Sequence, residues 1–189
     1  MKEIRKDLPF YEESGGGVTF SGGEPLFQPG FLLKVLAECK KECINTAIDT
    51  SGYCDTEMLL KAADTADYIL YDIKFMDSEK HCQYCGAPNG LILDNLLRLS
   101  KTKTRLLIRI PVIPAINDDM REMKSIFDFI ENFDNIDMVH LLPYHNIQAD
   151  KYRRIGKTYE LSEISGNESP NMNEIIKLFS IRFRTKTGG

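Results

Sequence analysis

The chain of 189 residues has no run approaching the roughly 18 consecutive apolar residues that suggest a membrane-spanning helix. Its opening residues, Met1-Lys2-Glu3-Ile4-Arg5-Lys6, lead into no apolar segment of the kind that addresses a chain for export. A basic excess is missing too: 24 Lys and Arg stand against 28 Asp and Glu, for a net charge of -4. The only basic clusters, at Lys151 to Arg154 and Arg182 to Lys186, are short. Nothing here offers a footprint for a phosphate backbone, so neither nucleic acid nor a membrane is an expected partner. GxGxxG is absent, which removes support for a dinucleotide fold. There is no low-complexity segment and no internal linker. The five cysteines are an odd number, and 42% hydrophobic residues suffice for a core without disulfide staples. Reduced thiols and a cytoplasmic location are the expectation.

What is present is alternation. Residues 1–13 are charged, with Ile4 and Leu8 four apart as at an exposed helix end, before Ser14-Gly15-Gly16-Gly17 breaks the pattern. Strand-like segments follow at Val18-Thr19-Phe20, Thr46-Ala47-Ile48-Asp49, residues 68–73, 105–114 and 138–142. Between them lie helical patterns: Phe31, Leu32, Val35, Leu36 and Cys39; a helix opened by Asp55-Thr56-Glu57; residues 91–100; and a helix capped by Asp118-Asp119 that carries Met123, Ile126, Phe127 and Ile130. Residues 173–179 form the last helix. Strands separated by helices argue for βα units around a parallel sheet, because parallel strands need such crossovers.

The expectation is one α/β domain with helices outside the sheet: residues 1–13 a remnant of a first helix, 14–180 the βα units, and 181–189 a tail. About five strands are too few for a closed eight-fold barrel, leaving an open doubly wound sheet or part of a barrel. Each strand ends in chemistry-bearing residues: SGGEP, DTSG, DIK, IRIP and LPYH. Ligand sites in α/β folds lie at the carboxyl ends of strands, so these five endings converge on one place.

Taken singly, these residues also have plain readings. Gly22 and Gly23 permit a close approach to the backbone, or simply make a strand-to-helix turn. Asp49 and Asp72 could be helix caps or solvated charges. Lys74 and Arg109 are costly to bury without a negative partner, so a salt bridge to Asp49 or Asp72 competes with a bound anion. His145 follows the last strand, while His81 and His140 are read as structural.

The stretch Ser14-Gly15-Gly16-Gly17-Val18-Thr19-Phe20-Ser21-Gly22-Gly23-Glu24-Pro25-Leu26 resembles the Gly-Gly-Glu-Pro segment of radical S-adenosylmethionine (SAM) enzymes that activate glycyl-radical enzymes. The likeness continues through Ile48-Asp49-Thr50-Ser51-Gly52, Tyr71-Asp72-Ile73-Lys74, Ile108-Arg109-Ile110-Pro111 and Leu142-Pro143-Tyr144-His145, and covers nearly the whole chain. It implies a partial TIM-type (β/α)6 barrel lacking its first βα unit. It also implies SAM held by Gly22, Gly23 and Glu24 at its amino group, with Asp49, Lys74, Arg109 and His145 around it. Asp49, Thr50 and Asp72 are implied as a monovalent cation site. The family's three-cysteine 4Fe-4S cluster reduces SAM to a 5′-deoxyadenosyl radical that takes a hydrogen from a glycine of the partner, with electrons from a flavodoxin- or ferredoxin-type donor. The implied partner is a glycyl-radical enzyme similar to pyruvate formate-lyase.

The cluster motif CxxxCxxC does not occur here. Cys39 and Cys43 share its first spacing, but Thr46 stands at the third position and the pair follows SGGEP, so both are read as helix residues. Cys82 and Cys85 have a zinc- or redox-like spacing without a second ligand pair, and Cys54 is alone. The expectation is that Met1 is an internal start or an artificial boundary of a longer chain, that CxxxCxxC lies upstream, and that the chain alone holds SAM without radical chemistry. The alternatives are a cluster-free module that binds SAM or docks on a partner, and a barrel enzyme using Lys74 as a Schiff-base nucleophile.

Overall fold

A computed structural model describes residues 1–144 and 169–188. A 3-10 turn at Ile4–Asp7 leads into α1 (Leu8–Ser14). Then follow β1 (Gly17–Phe20), α2 (Pro29–Lys41), β2 (Asn45–Thr50), α3 (Thr56–Thr65) and β3 (Tyr68–Asp72). The helices α4 (Ser78–Cys85) and α5 (Gly90–Leu99) separate β3 from β4 (Arg105–Val112). Next come α6 (Met120–Ile130), β5 (Ile136–Pro143), α7 (Met172–Ser180) and β6 (Thr185–Thr187). The six strands form one sheet in the order β1-β2-β3-β4-β5-β6, each parallel to its neighbours.

Several helix starts are written in the sequence. Asp55, Asp77 and Asp119 each stand just before a helix, and their carboxylates accept from the orphan backbone N–H groups of its first turn. Asp49 and Asp72 are not caps of this kind; they lie within strands.

Burial alternates along the strands with period two. Thr46, Ile48 and Thr50 of β2, Ile69 and Tyr71 of β3, and Leu106, Ile108, Ile110 and Val112 of β4 are buried. Those apolar side chains join Leu36, Leu59, Leu96, Leu99, Ile126 and Phe179 of the helices in one core. The intervening residues, Asp49, Asp72 and Arg109 among them, are half-buried on the opposite face. A sheet of this kind, with helices packed on one face and polar side chains on the other, is the parallel α/β architecture expected from the sequence. Right-handed crossovers account for it, since successive connections of one hand in an unbroken strand order fall on one side.

Two particulars depart from the sequence reading. The sheet has six strands, because Thr185–Thr187, in the stretch read as a tail, pairs with Val139–Leu141. Cys43 is not a helix residue: α2 ends at Lys41, and Cys43 sits beyond it with φ 55.

The loop after β2 is fixed from below by one side chain. Asn95, fully buried in α5, donates to the carbonyls of Gly52 (2.8 Å) and Cys54 (3.0 Å) and accepts from the Thr56 hydroxyl at 2.7 Å. Gly52 adopts φ 75, and a Cβ there would overlap the Tyr71 hydroxyl, which itself donates to the Ile92 carbonyl at 2.7 Å. Leaving a buried polar group unpaired costs about 1–3 kcal/mol, so Asn95→Ala is expected to lower unfolding stability by roughly 2–4 kcal/mol. Urea denaturation checks this, and a change within about 0.5 kcal/mol would show that the loop does not depend on Asn95.

Candidate functional site

The carboxyl ends of β1 to β4 bring SGGEP, DTSG, DIK and IRIP to one edge of the sheet, four of the five endings expected to converge; the fifth, LPYH, runs into residue 145, outside the described residues. At the end of β1, Gly22 has φ 127, a backbone conformation that only glycine adopts readily. Nothing lies within 4 Å of the position a Cβ would take at Gly22 or at Gly23. The backbone here is therefore open to a ligand on its side-chain side.

Glu24 sets the shape of that turn. It precedes a 3-10 turn at Pro25–Phe27 and accepts from the Leu26 N–H at 3.3 Å. The same carboxylate accepts from the Thr50 hydroxyl (2.8 Å), the Ser51 N–H (3.0 Å) and the Ser51 hydroxyl (2.8 Å). Glu24 thus ties the turn after β1 to the turn after β2 through charge-assisted bonds. The serines of SGGEP and DTSG were not singled out from the sequence, yet both act here: Ser51 on Glu24, and Ser21, whose hydroxyl donates to Asp49 at 3.0 Å.

Asp49, Asp72 and Arg109 meet on the half-buried face. Arg109 pairs in register with Asp72 on the neighbouring strand, and its Nε donates to Asp72 Oδ1 at 2.8 Å. Its Nη2 lies 2.7 Å from the same oxygen, and Nη1 and Nη2 both donate to Asp49. Arg109 is only 20% exposed. Burial by itself lowers a guanidinium, but Asp72 first and Asp49 second outweigh it and hold Arg109 above its ordinary range. The salt bridge weighed from sequence is therefore formed.

Lys74 stands beyond β3 with its Nζ 3.7 Å from Asp72, and its side chain is 38% exposed. That is not the desolvated setting that makes a lysine a Schiff-base nucleophile. Thr50 is separated from the two aspartates: it is 2% exposed on the helix-covered face, where its hydroxyl also accepts from the Gly52 N–H at 2.9 Å. His145 lies outside the described residues. His140, read as structural, is the in-register neighbour of Arg109 on one side and of Lys186 on the other. Burial, then Lys186 and Arg109, push its imidazole below the ordinary value, which favours the neutral ring. His81 is buried, with Nδ1 2.6 Å from the Ala87 carbonyl.

The thiols do not gather at this site. Cys39 and Cys54 are buried, and burial with Glu24 and Asp55 nearby pushes the Cys54 thiol up to about 12. Cys43, Cys82 and Cys85 are exposed. Among the described residues no three His, Cys, Asp or Glu side chains group to hold a metal, so the thiols present do not fit a three-cysteine cluster. An open cleft of about 1010 Å³ lies between the starts of α4 and α6. Part of its charged lining is paired, Lys80 with Asp119 at 3.5 Å and Glu122 with the Met76 N–H.

Residues 1–127 match the family model for the radical SAM superfamily. The trans-4-hydroxy-L-proline dehydratase activating enzyme of Clostridioides difficile is 45% identical over 100% of this chain and 64% of its own length. The pyruvate formate-lyase-activating enzyme of Staphylococcus aureus (strain USA300) is 37% identical over 94% of this chain and 71% of its own. A solved domain of a pyruvate-formate lyase-activating enzyme from Bacteroides vulgatus superposes with a TM-score of 0.77 at 30% identity, covering 92% of this chain and 99% of that one. The chain thus spans a little under two thirds of the dehydratase-activating relative.

Removing one partner from a half-buried ion cluster leaves the others uncompensated. Arg109→Gln is expected to destabilise the chain by about 1–3 kcal/mol, and a double-mutant cycle with Asp72→Asn should return a coupling of about 1–2 kcal/mol. Additive losses in urea melts would mean that the two side chains do not depend on each other.

Proposed function

The chain belongs to the radical SAM superfamily, and from that premise we propose that it forms the SAM-holding surface of an enzyme that activates a glycyl-radical enzyme. The observation that carries this reading is the uncovered backbone at Gly22 and Gly23, set beside the charged groups of three further strand ends. Backbone carbonyls at this turn suit the amino group of SAM, because an ammonium offers three donors and no acceptor. Glu24 adds negative charge and, through Thr50 and Ser51, keeps the turn in the shape that leaves its backbone uncovered.

On the opposite side, Lys74 has room to meet the SAM carboxylate while staying near Asp72. Arg109 acts from behind, holding Asp49 and Asp72 in place at the ends of β2 and β3. His145 is a further proposed SAM contact. A monovalent cation at Asp49, Thr50 and Asp72 gains little support, since Arg109 already supplies the positive charge between the two aspartates and Thr50 turns to the other face. Bound SAM supplies the hydrogen-abstracting chemistry of the superfamily. The residues described here bind and orient it, and no step is assigned to an iron-sulfur cluster through them.

Similarity to relatives named as activating enzymes supports a glycyl-radical enzyme as partner. Those names include a dehydratase and pyruvate formate-lyase, so a pyruvate formate-lyase-like enzyme is one member of the proposed class. A flavodoxin- or ferredoxin-type electron donor and a cytoplasmic setting complete the proposal. No described helix is long and apolar enough to cross a membrane.

Titration calorimetry of the chain with SAM tests the reading directly. Binding is expected, and Gly23→Val, which fills the open space with a branched side chain, should weaken it at least about ten-fold, or about 1.4 kcal/mol. An unaltered affinity in that variant, or no binding by the parent chain, would overturn the assignment.

A further inference from the structure

Two thiols belong neither to the core nor to the site. Cys82 and Cys85 lie in the second half of α4, and both are exposed. Residues three apart on a helix share a face, with Cβ atoms about 5–6 Å apart. A disulfide needs those atoms about 3.5–4.5 Å apart, so closing the pair takes a contraction of about 1–2 Å.

The local structure provides for that contraction. α4 ends at Cys85, and Gly86 follows with φ 79, so the last turn can tighten without pulling on a longer helix. The other end is held: the Asp77 carboxylate accepts from the N–H groups of Glu79 and Lys80, and buried His81 is tied to the Ala87 carbonyl. No other thiol is paired in this way, since Cys39 and Cys54 are buried and exposed Cys43 has only buried Cys39 on its segment.

We propose that Cys82 and Cys85 form a redox-active dithiol that a small-molecule disulfide converts reversibly to a disulfide within α4. The thiolate of Cys82 attacks the oxidant's S–S bond; one oxidant sulfur leaves as a thiol and the other stays on Cys82. Cys85 then gives up its proton, its sulfur attacks Cys82 Sγ, and the second oxidant sulfur leaves and takes up a proton. The protein loses two hydrogens with their electrons, and the oxidant is reduced to two thiols. The order of attack follows from the surroundings: Cys85 is exposed as a residue, but partial desolvation of its sulfur pushes the thiol up, with Lys74 opposing, which suits the later intramolecular step rather than the first collision. A pair that must contract to close makes a readily reduced bond, the kind found in reversible switches.

The switch has a physical route to the proposed SAM site. Tyr84, between the two cysteines, stacks on Phe75 with ring centroids 5.4 Å apart and planes inclined by 13°. Phe75 adjoins Lys74, so tightening the last turn of α4 draws on the segment that carries Lys74.

Trypsin releases residues 81–98 as one peptide containing both thiols and no other cysteine. The reduced chain is equilibrated anaerobically with glutathione and glutathione disulfide in varied ratio, then alkylated and digested. The expected product is this peptide, unalkylated and two hydrogens lighter, in a fraction that rises with oxidised glutathione and returns to zero on reduction. Cys82→Ser and Cys85→Ser should each stop at a glutathione adduct on the remaining thiol. Two alkylated thiols or two adducts at every ratio, or a bridge to another peptide or chain, would overturn the proposal. Hydrogen exchange across residues 74–86 should quicken in the oxidised chain, and unchanged exchange would remove the link to Lys74. None of these readouts uses SAM, so their failure is distinct from a failure of the proposed function.

Discussion

Arg109 gathers the carboxyl ends of three adjacent strands. It belongs to β4, pairs in register with Asp72 on β3 and reaches across to Asp49 on β2. Two carboxylates on neighbouring strands would repel one another on a half-buried face, and one planar guanidinium with several donors answers both. The consequence is geometric as well as electrostatic. With Asp49 held, Ser21 has an acceptor, and the turn after β1 is drawn toward the turn after β2. Glu24 completes that union through Thr50 and Ser51. The backbone at Gly22 and Gly23 stays open while Ser21, Glu24, Thr50 and Ser51 are engaged with other partners.

Such a site needs loops that hold their shape without regular hydrogen bonding, and the chain meets that need with buried asparagines. Asn95 fixes the loop after β2, and Asn89 donates to the carbonyls of Phe75 and Met76 after β3. Asn117 donates to the carbonyls of Lys74 and Pro111, joining the loops after β3 and β4. An amide offers two donors and an acceptor without a charge, so it satisfies buried carbonyls at lower desolvation cost than an ionised group. The rim is thus built in two tiers, with neutral amides below and ionic groups above, and only the ionic tier faces outward.

The fold was legible where apolar periodicity was strong. The helices whose buried stripe contains Met123, Ile126, Phe127 and Ile130, or Ile175 and Phe179, fall where the spacing placed them. β6 was not legible because Thr-Lys-Thr has no apolar residue and only three positions; its pairing with β5 makes it a strand. Cys43 was misassigned because helical spacing continues from Cys39, while the chain leaves the helix after Lys41. The motif residues were readable as a convergent set. The choice between an ion pair and a ligand at Arg109 was not, since it depends on which strand lies beside which. Asn95 carried a signal that went unused: it is a polar residue on the stripe of Ile92, Leu96 and Leu99 that α5 buries.

The same logic explains why the open part of the rim is small. Had Lys74 been drawn into a close ion pair, as Arg109 is, the rim would be electrostatically closed and a zwitterionic ligand would find no free cation. Lys74 instead stands 3.7 Å from Asp72 and keeps more than a third of its side chain exposed, so its interaction there is weak and readily shared. On the other side of the rim, the turn at Gly22 and Gly23 has backbone without side chains. A ligand carrying an ammonium and a carboxylate on one carbon has a group suited to each feature. A simple anion or a simple cation can satisfy only one of them, and that asymmetry in what has been left uncommitted is the physical basis for favouring an amino-acid head group at this edge of the sheet.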